Sequence, residues 1–382
     1  MLDLAALALR NLARRNVRRT VLTILGIASA TVVFCAVMVV PFAMDSVVAG
    51  ADQSPRIAVT NRASVGRGLP AAYYGKVAAL PGVVAVSRMV WFGGIYDDPK
   101  HVFPSMAIDA DNPDVVWPEY ALRRDLVDLF KRTRDGAVVG TATMKRFRWK
   151  IGDSVALKNA AIPLTLSFRI VGTINEGPDL TVFLFHRDYL DEALHRTGIV
   201  SMLWVRCRSV LEAPRIAAAV DEMFRNSSAE TRSETEKIFL ANMVSHFRPL
   251  ANFVQAIGIG AMLAVALAVL NAAAMSLRER LNDIAIMKSL GFSAAEVMFG
   301  FVFESLVTAI GGAMLGTLIA TALMEKARGF FPSLGPLLSF GLPTPVMVGG
   351  FAMAVMVGVL AGIAPALPTV RSRPQMILRK AV

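Results

Sequence analysis

The sequence predicts a membrane protein of two parts: an all-α transmembrane domain of four helices, and an α+β extracytoplasmic domain inserted between spans one and two. Three observations predict it. Hydrophobic residues make up 55% of the 382 and charged residues only 18%, an apolar share above that of soluble chains and a charged share below it. The apolar residues gather in four blocks, each long enough to supply the ~20 helical residues that cross a ~30 Å hydrocarbon core. Between the first and second blocks the composition returns to that of a globular domain, with β-type and helix-like runs interspersed, the mixture expected of an α+β fold.

In residues 1–19, Leu4, Leu7, Ala8, Asn11 and Leu12 have helical spacing, with Arg10, Arg14, Arg15, Arg18 and Arg19 mostly on other faces. This fits a cytoplasmic amphipathic helix on an anionic surface, so membrane lipid is an expected partner. Residues 20–44 carry no charge until after Met44 and form span 1. Ala49-Gly50-Ala51 resembles a signal-peptide cleavage site. A signal h-region has only about 7–15 residues, however, and the longer run reads as a retained span.

Residues 45–245 form the extracytoplasmic domain and its stalk. β-type runs occupy Arg56–Thr60, Val83–Tyr96, His101–Ile108, Leu164–Ile174, Thr181–Phe185 and Met202–Arg208. Helix-like stretches occupy Ala71–Leu80, Glu119–Arg132, Arg187–His195 and Leu211–Phe224. Pro81-Gly82, Asp135-Gly136 and Gly152-Asp153 punctuate them as turns. The domain is long enough for two lobes. Ser227–Arg248 reads as one helical stalk running into the second span.

Span 2 (250–276) contains Gln255 and Asn271, and a charged stretch (277–293) follows it. Span 3 (297–324) contains Glu304 and the pair Gly312-x-x-x-Gly316. An outer loop (325–345) carries Pro332, Pro336, Pro343 and Pro345. Span 4 (346–367) sets Gly350, Ala354, Gly358 and Gly362 on one i+4 ridge before a tail (368–382). Small residues let helix backbones approach closely, either within one chain or at an interface with a second copy. A carboxylate inside a span is costly and faces a partner or a polar cavity. Glu304 reads as an anchor for the neighbouring loop helix through Lys288, a backbone amide or water, with a hinge or relay as the alternative.

Basic residues gather at the N-terminus, in 277–291 and in the tail (Arg371, Arg373, Arg379, Lys380). With four spans all three lie on one side, the cytoplasm. The formal net charge of +11 is thereby explained without nucleic acid. Cys35 falls in an apolar span and Cys207 in the large domain, which gives no disulfide framework.

The charged stretch organises the chain. Leu281, Ile284, Ala285 and Lys288 fall at i, i+3, i+4 and i+7, one helical face. Gly291 reads as a helix stop and Ser293 as the cap of the next helix. The run from Glu279 to Gly291 is similar to the E-R-x-x-E-I-G-I-x-[KR]-x-[LI]-G signature of the MacB/FtsX/LolC-type permeases, the type VII ABC transporters. Glu279, Arg280, Ile284, Ile286, Lys288, Leu290 and Gly291 match the pattern, while Asp283 replaces its Glu and Ala285 its Gly.

The resemblance implies a coupling helix that docks on a separate ATPase. Ile284 and Met287 are the expected apolar knobs, with Glu279, Asp283 and Lys288 as polar rim. "ALRNLARRNVRRTVLTILGIASAT" resembles the family's elbow helix and first span, and "FVFESLVTAIGGAMLGTLIA" its third. "GAVVGTATMKRFRWKIGDSVAL" and "FRIVGTI" resemble its extracytoplasmic core, with Met144, Phe147 and Trp149 departing from the pattern. The tail "PALPTVRSRPQMILRKAV" resembles its C-terminus, with Met376 and Ile377 where the family has E-A. Implied partners are two ABC ATPase subunits, a second permease copy or paralogue, and a periplasmic adaptor protein. The implied location is the inner (plasma) membrane, with both termini cytoplasmic.

The chain carries no motif for chemistry of its own. A phosphate-cradling loop needs Gly-x-x-x-x-Gly-Lys-Ser/Thr; here Gly75-Lys76 is followed by Val77, and Pro70 stands at the upstream glycine position. His101, His186, His195 and His246 lack paired-ligand spacing, and no GxSxG elbow occurs. Asp97-Asp98 and Asp191-Glu192 read as solvated surface. No cofactor is therefore expected. The implied function is a permease subunit that couples a partner's ATP hydrolysis to extracytoplasmic movement of an amphiphilic substrate: a lipoprotein, lipid, peptide or antibiotic. The alternatives are an FtsX-like mechanotransmitter that regulates a cell-wall hydrolase, or a membrane receptor or scaffold.

Overall fold

The computed structural model describes residues 17–97, 102–195, 197–279, 281–330 and 342–371. The expected helix over 1–19 and the tail over 368–382 lie largely outside these residues, as do His101, Arg280, Pro332 and Pro336. The chain divides into two compact units, one containing the four long helices and one spanning Ala43–Phe247.

The second unit is built on eleven of thirteen strands. They are β1 (Arg56–Asn61), β2 (Leu69–Pro70), β3 (Val83–Trp91), β4 (Gly94–Ile95), β5 (Val102–Phe103), β6 (Ser105–Ile108), β7 (Gly136–Gly140), β8 (Ser154–Asn159), β9 (Thr165–Ile174), β10 (Phe183–His186), β11 (Ile199–Val200), β12 (Met202–Cys207) and β13 (Thr231–Thr235). The large sheet runs β13-β1-β12-β3-β6-β10-β7-β9-β8-β4-β5, while β2 and β11 pair separately. Most neighbours are antiparallel, as in the hairpin that sets Val155 opposite Phe168. The parallel pairs are β10 with β6 and β7 with β9.

Alternation along the strands sends side chains to opposite faces. In β10, Leu184 joins one core with Ile108, Phe130, Val138 and Trp204. Its neighbours Phe183 and Phe185 join another with Phe92, Phe168 and Trp149. A third core packs Ile57, Val59 and Val205 against Ile216, Val220 and Phe224. Met144, Phe147 and Trp149 have a physical role here. Met144 is buried in the second core, and the Trp149 ring contacts Tyr96, Phe103, Phe147 and Phe183 at 4.7–6.2 Å between centroids.

Helices of this unit within the described residues include α2 (Tyr73–Ala78), α3 (Pro113–Val116), α4 (Arg124–Arg132), α5 (Thr141–Phe147), α6 (Arg187–Ala193), α7 (Ala213–Met223) and α8 (Glu236–Ser245). Two expectations need correction. One sheet runs through the unit, so its strands do not separate into two lobes. The stalk is not one helix either: Thr231–Thr235 is strand β13, paired along β1 from Ile57↔Thr235 to Asn61↔Thr231, and only Glu236–Ser245 is helical. The polar run TRSET has no periodic signal of its own. It becomes a strand because β1 offers it a ladder.

The long helices are α1 (Val17–Gly50), α9 (Arg248–Glu279), α11 (Ala294–Phe330) and α12 (Thr344–Arg371), with the short α10 (Leu281–Ser289) between α9 and α11. Each long helix contains a stretch of mean hydropathy between 1.9 and 2.4, long and apolar enough to cross a membrane. Their shared core is made of Ile27, Val269, Ala309, Ala313, Ala354, Val357 and Ala361.

Candidate functional site

The charged stretch forms a corner between two apolar helices. At its end α10 closes in a Schellman-type turn: the Gly291 N–H donates to the Lys288 carbonyl and the Phe292 N–H to the Met287 carbonyl, both at 3.1 Å. Gly291 has φ +95°, a conformation that a Cβ disfavours. The next helix opens with a capping box. The Ser293 N–H and hydroxyl donate to Glu296 Oε2, each at 2.8 Å, and the Glu296 N–H donates back to Ser293 Oγ at 3.3 Å. Local hydrogen bonds therefore fix both sides of the turn.

Burial within α10 runs opposite to one expectation. Ile284 is 0% exposed and packs with Ala285 against Leu277 of α9 and Val297 of α11. It cannot project into a partner's groove, because its own chain already covers it. Met287 and Lys288 are half-buried, and Glu279 is exposed. Arg280 and the Asp283 side chain lie outside the described residues. The outward face instead carries Asn282, Ile286, Ser289 and Leu290, with Ile286 58% and Leu290 73% exposed. The sequence held a signal for it: Ile286 and Leu290 are apolar residues off the face defined by Leu281, Ile284 and Ala285.

The remaining expected residues are spread over the helical unit. The Gln255 amide donates to Met38 Sδ at 3.7 Å, and Asn271 is exposed. Glu304 is half-buried, and its carbonyl accepts from the Thr308 hydroxyl at 3.2 Å. The small residues lie where helices of this chain meet. A Cβ at Gly312 would stand 2.7 Å from Ile27 Cβ, and one at Gly316 2.6 Å from the Ala28 carbonyl oxygen. Gly350 faces Phe34 and Cys35. On the same ridge Gly358 approaches Ala309, Gly362 approaches Val302, and Ala354 is buried.

The α+β unit holds two buried charge clusters. Arg56, at the start of β1, donates from Nη1 to the Val116 carbonyl and to Glu119, and pairs with Glu236 at the start of α8. The Ser54 hydroxyl donates to the same Glu236 carboxylate. In the second cluster, Asp109 accepts from the backbone and side chain of Arg88 and from Arg187. His186 Nε2–H donates to the Phe130 carbonyl at 2.6 Å, and His246 Nδ1–H donates to the Asn242 carbonyl. No group of three or more His, Cys, Asp or Glu side chains placed to hold a metal ion occurs among the described residues.

A family of FtsX-like permease C-terminal regions matches residues 256–374, and a family of MacB-like periplasmic core domains matches residues 20–223. An uncharacterized ABC transporter permease of Methanocaldococcus jannaschii is 24% identical over 237 residues, covering 60% of this chain and 58% of its own length. The macrolide export ATP-binding/permease protein MacB of Nitrosomonas europaea is 31% identical over 110 residues, covering 29% of this chain and 16% of its own length. The chain thus spans less than two thirds of either relative. Among solved structures, the periplasmic region of MacB from Actinobacillus actinomycetemcomitans aligns with TM-score 0.38 and 9% identity, over 50% of this chain and 94% of that one.

Proposed function

We propose, since the chain belongs to the MacB/FtsX-type permeases of ABC transporters and is a multi-pass membrane protein, that it is the membrane subunit through which a separate ATPase moves an extracytoplasmic domain. Two ATPase subunits and a second permease copy or paralogue complete the assembly. α10 and both termini face the cytoplasm of the plasma membrane, and residues 45–245 lie outside. The cargo is an amphiphile drawn from the outer leaflet or the extracytoplasmic space.

One observation carries the reading: α10 is held by its own chain on one face and presents bare apolar side chains on the other. Ile284, Ala285 and Leu281 fix it to α9 and α11. Ile286 and Leu290 are left for a partner, and a buried contact of that kind carries the binding energy of small interfaces. Rotation of α10 by a partner would be passed to α9 and α11 through the packed face and the capped turn.

The test is co-purification of the cognate ATPase with Ile286→Asp and Leu290→Asp variants, beside ATP turnover of the complex. Each substitution sets an unpaired charge in the contact and weakens docking by a few kcal/mol (about a hundredfold). A protease map of residues 45–245 should be unchanged. Full retention of the ATPase by both variants would remove α10 from the contact. Reporter fusions test the orientation: those after Asp52 and Asn226 should read outside, and one after Asn282 inside. An inside reading at Asn226 overturns the span count.

A further inference from the structure

Two faces of α9 differ in what covers them. Ala251, Gly258, Val269 and Leu277 are buried, and a Cβ at Gly258 would stand 2.2 Å from Val37 Cγ2 of α1, so this face packs on the chain's own helices. Elsewhere α9 is the barest of the four apolar helices: 11% of its most apolar stretch is buried, against 33–39% in the other three. The bare part has a period. Leu250, Val254, Ile257, Ala261, Ala264 and Ala268 follow one another at alternating steps of four and three, and Asn271 and Met275 continue the series. Every one of these positions is exposed. The alternation is that of the a/d seam along which two helices supercoil. Lipid tails are as apolar as leucine and impose no such spacing.

The residues on the seam indicate its occupant. Its middle is small, with Ala261, Ala264 and Ala268, which lets two backbones approach closely. Asn271 is the one polar side chain in the series. From Pro249 to Leu277 the helix carries no charge and is about 43 Å long at 1.5 Å per residue. Centred on a ~30 Å hydrocarbon core, it extends about 6 Å beyond at each end, and Asn271 lies about 10 Å in from Arg278. The amide therefore falls inside the core. It has no hydrogen-bond partner among the described residues, and an unbonded amide in hydrocarbon is costly. A second amide satisfies it, since each carries both donors and an acceptor. Two copies inserted alike in one membrane run parallel, and about a two-fold axis each seam position meets its own counterpart.

We propose that a second copy of this chain docks along this seam, α9 against α9, with Asn271 hydrogen-bonded to Asn271 of the partner subunit. The inference rests on the reading of the chain as one of two permease subunits, and it names the second: an identical chain rather than a paralogue. An identical chain supplies the matching amide at the matching depth by construction. The pair also fixes register, as a lone buried asparagine does in a coiled coil. A slip of one heptad would set Asn271 against Ala264 and leave both amides unbonded.

The test uses the full chain in membranes of its native cells, as two differently tagged copies, in a background of Cys35→Ala and Cys207→Ala. Ala264→Cys and Ala268→Cys should each give an oxidant-driven crosslink that carries both tags. Leu263→Cys, exposed at the same depth but off the seam, should not. Asn271→Leu removes no contact within its own chain, so circular dichroism should be unchanged. Dimer formation in liposomes, read by energy transfer between labelled copies, should weaken about threefold to tenfold, and Asn271→Gln should recover part of the loss. The proposal is overturned by no crosslink at either seam position, by crosslinks to a different protein alone, by equal crosslinking at Leu263→Cys, or by wild-type dimerisation of Asn271→Leu. Ile286→Asp and Leu290→Asp should leave the crosslinks intact. Crosslinks without ATPase docking then count against the α10 contact alone, and docking without crosslinks counts against the seam alone.

Discussion

Arg56 and Glu236 lie 180 residues apart in sequence and meet through two parallel hydrogen bonds, Nε to Oε2 and Nη2 to Oε1, each at 2.8 Å. Arg56 is 6% exposed and also reaches Glu119 at 2.6 Å. Removing the cation would leave two carboxylates facing each other across a buried site. Arg56→Met is expected to destabilise the α+β unit by about 3–5 kcal/mol, the range for breaking one partner of a buried pair. Arg56→Lys should lose less, since it keeps the charge but not the planar fork. Urea unfolding followed by tryptophan fluorescence reads both, and an unchanged midpoint for Arg56→Met would refute the assignment.

Asp179 gives a prediction in the opposite sense. Its Oδ1 accepts from the Thr181 N–H at 2.8 Å and the Thr181 hydroxyl at 2.6 Å. Burial nonetheless pushes its carboxyl above the ordinary range, with those two hydrogen bonds acting against the shift. The folded state therefore holds the proton more tightly than the unfolded chain does. The associated stability is present at low pH and is lost as pH rises through the folded value. Asp179→Asn keeps an acceptor for Thr181 and carries no charge. It should match or exceed wild-type stability at neutral pH and flatten the pH dependence above the acid range. Urea midpoints across that range decide it; a variant with the wild-type slope would exclude Asp179 as its source.

Packing of the long helices is testable through one contact. A Cβ at Gly358 would lie 2.3 Å from Ala309 Cβ. Gly358→Ala should destabilise the helical unit by about 1–3 kcal/mol through overpacking, and the added substitution Ala309→Gly should restore much of the loss. Denaturation in mixed micelles provides the measurement. If the second substitution adds to the damage, the two residues do not share the contact.

Cys207 is 1% exposed, and its thiol is pushed up from 9.0 to about 11, mainly by burial and then by the Glu212 carboxylate, with Arg215 opposing. The thiolate is the reactive form. Native protein at neutral pH should therefore resist iodoacetamide at Cys207 and become reactive on unfolding. Because the folded thiol keeps its proton longer, its contribution to stability is lost as pH rises from about 9 toward 11. Cys207→Ala should remove that decline. Rapid native labelling at neutral pH would contradict the burial.

The sequence made some of this legible and not the rest, for reasons of range. The stop at Gly291 and the cap at Ser293 are built from residues within a few positions of each other, so composition alone exposes them. Helical spacing also shows that Leu281, Ile284 and Ala285 share a face. It does not say which face meets the chain's own helices, because isoleucine stands on both sides of α10. The Gly350–Gly362 ridge has the same ambiguity, since smallness permits a close neighbour without identifying it. β13 and the insertion of β10 between β6 and β7 depend on partners far along the chain. No local pattern encodes them.

The long sheet has a mechanical corollary. Both of its connections to the apolar helices leave from adjacent strands at one margin: β1 follows α1, and β13 leads through α8 to α9. β5 at the other margin is nine strand steps from β1, a path of roughly 43 Å. The far margin is therefore tied to the two connections only through the sheet itself. A rigid tilt of the sheet by about 5° about the β1–β13 margin would displace β5 by up to roughly 4 Å. Within the unit, the ladder of hydrogen bonds and the aromatic packing on its faces hold the two margins in fixed relation.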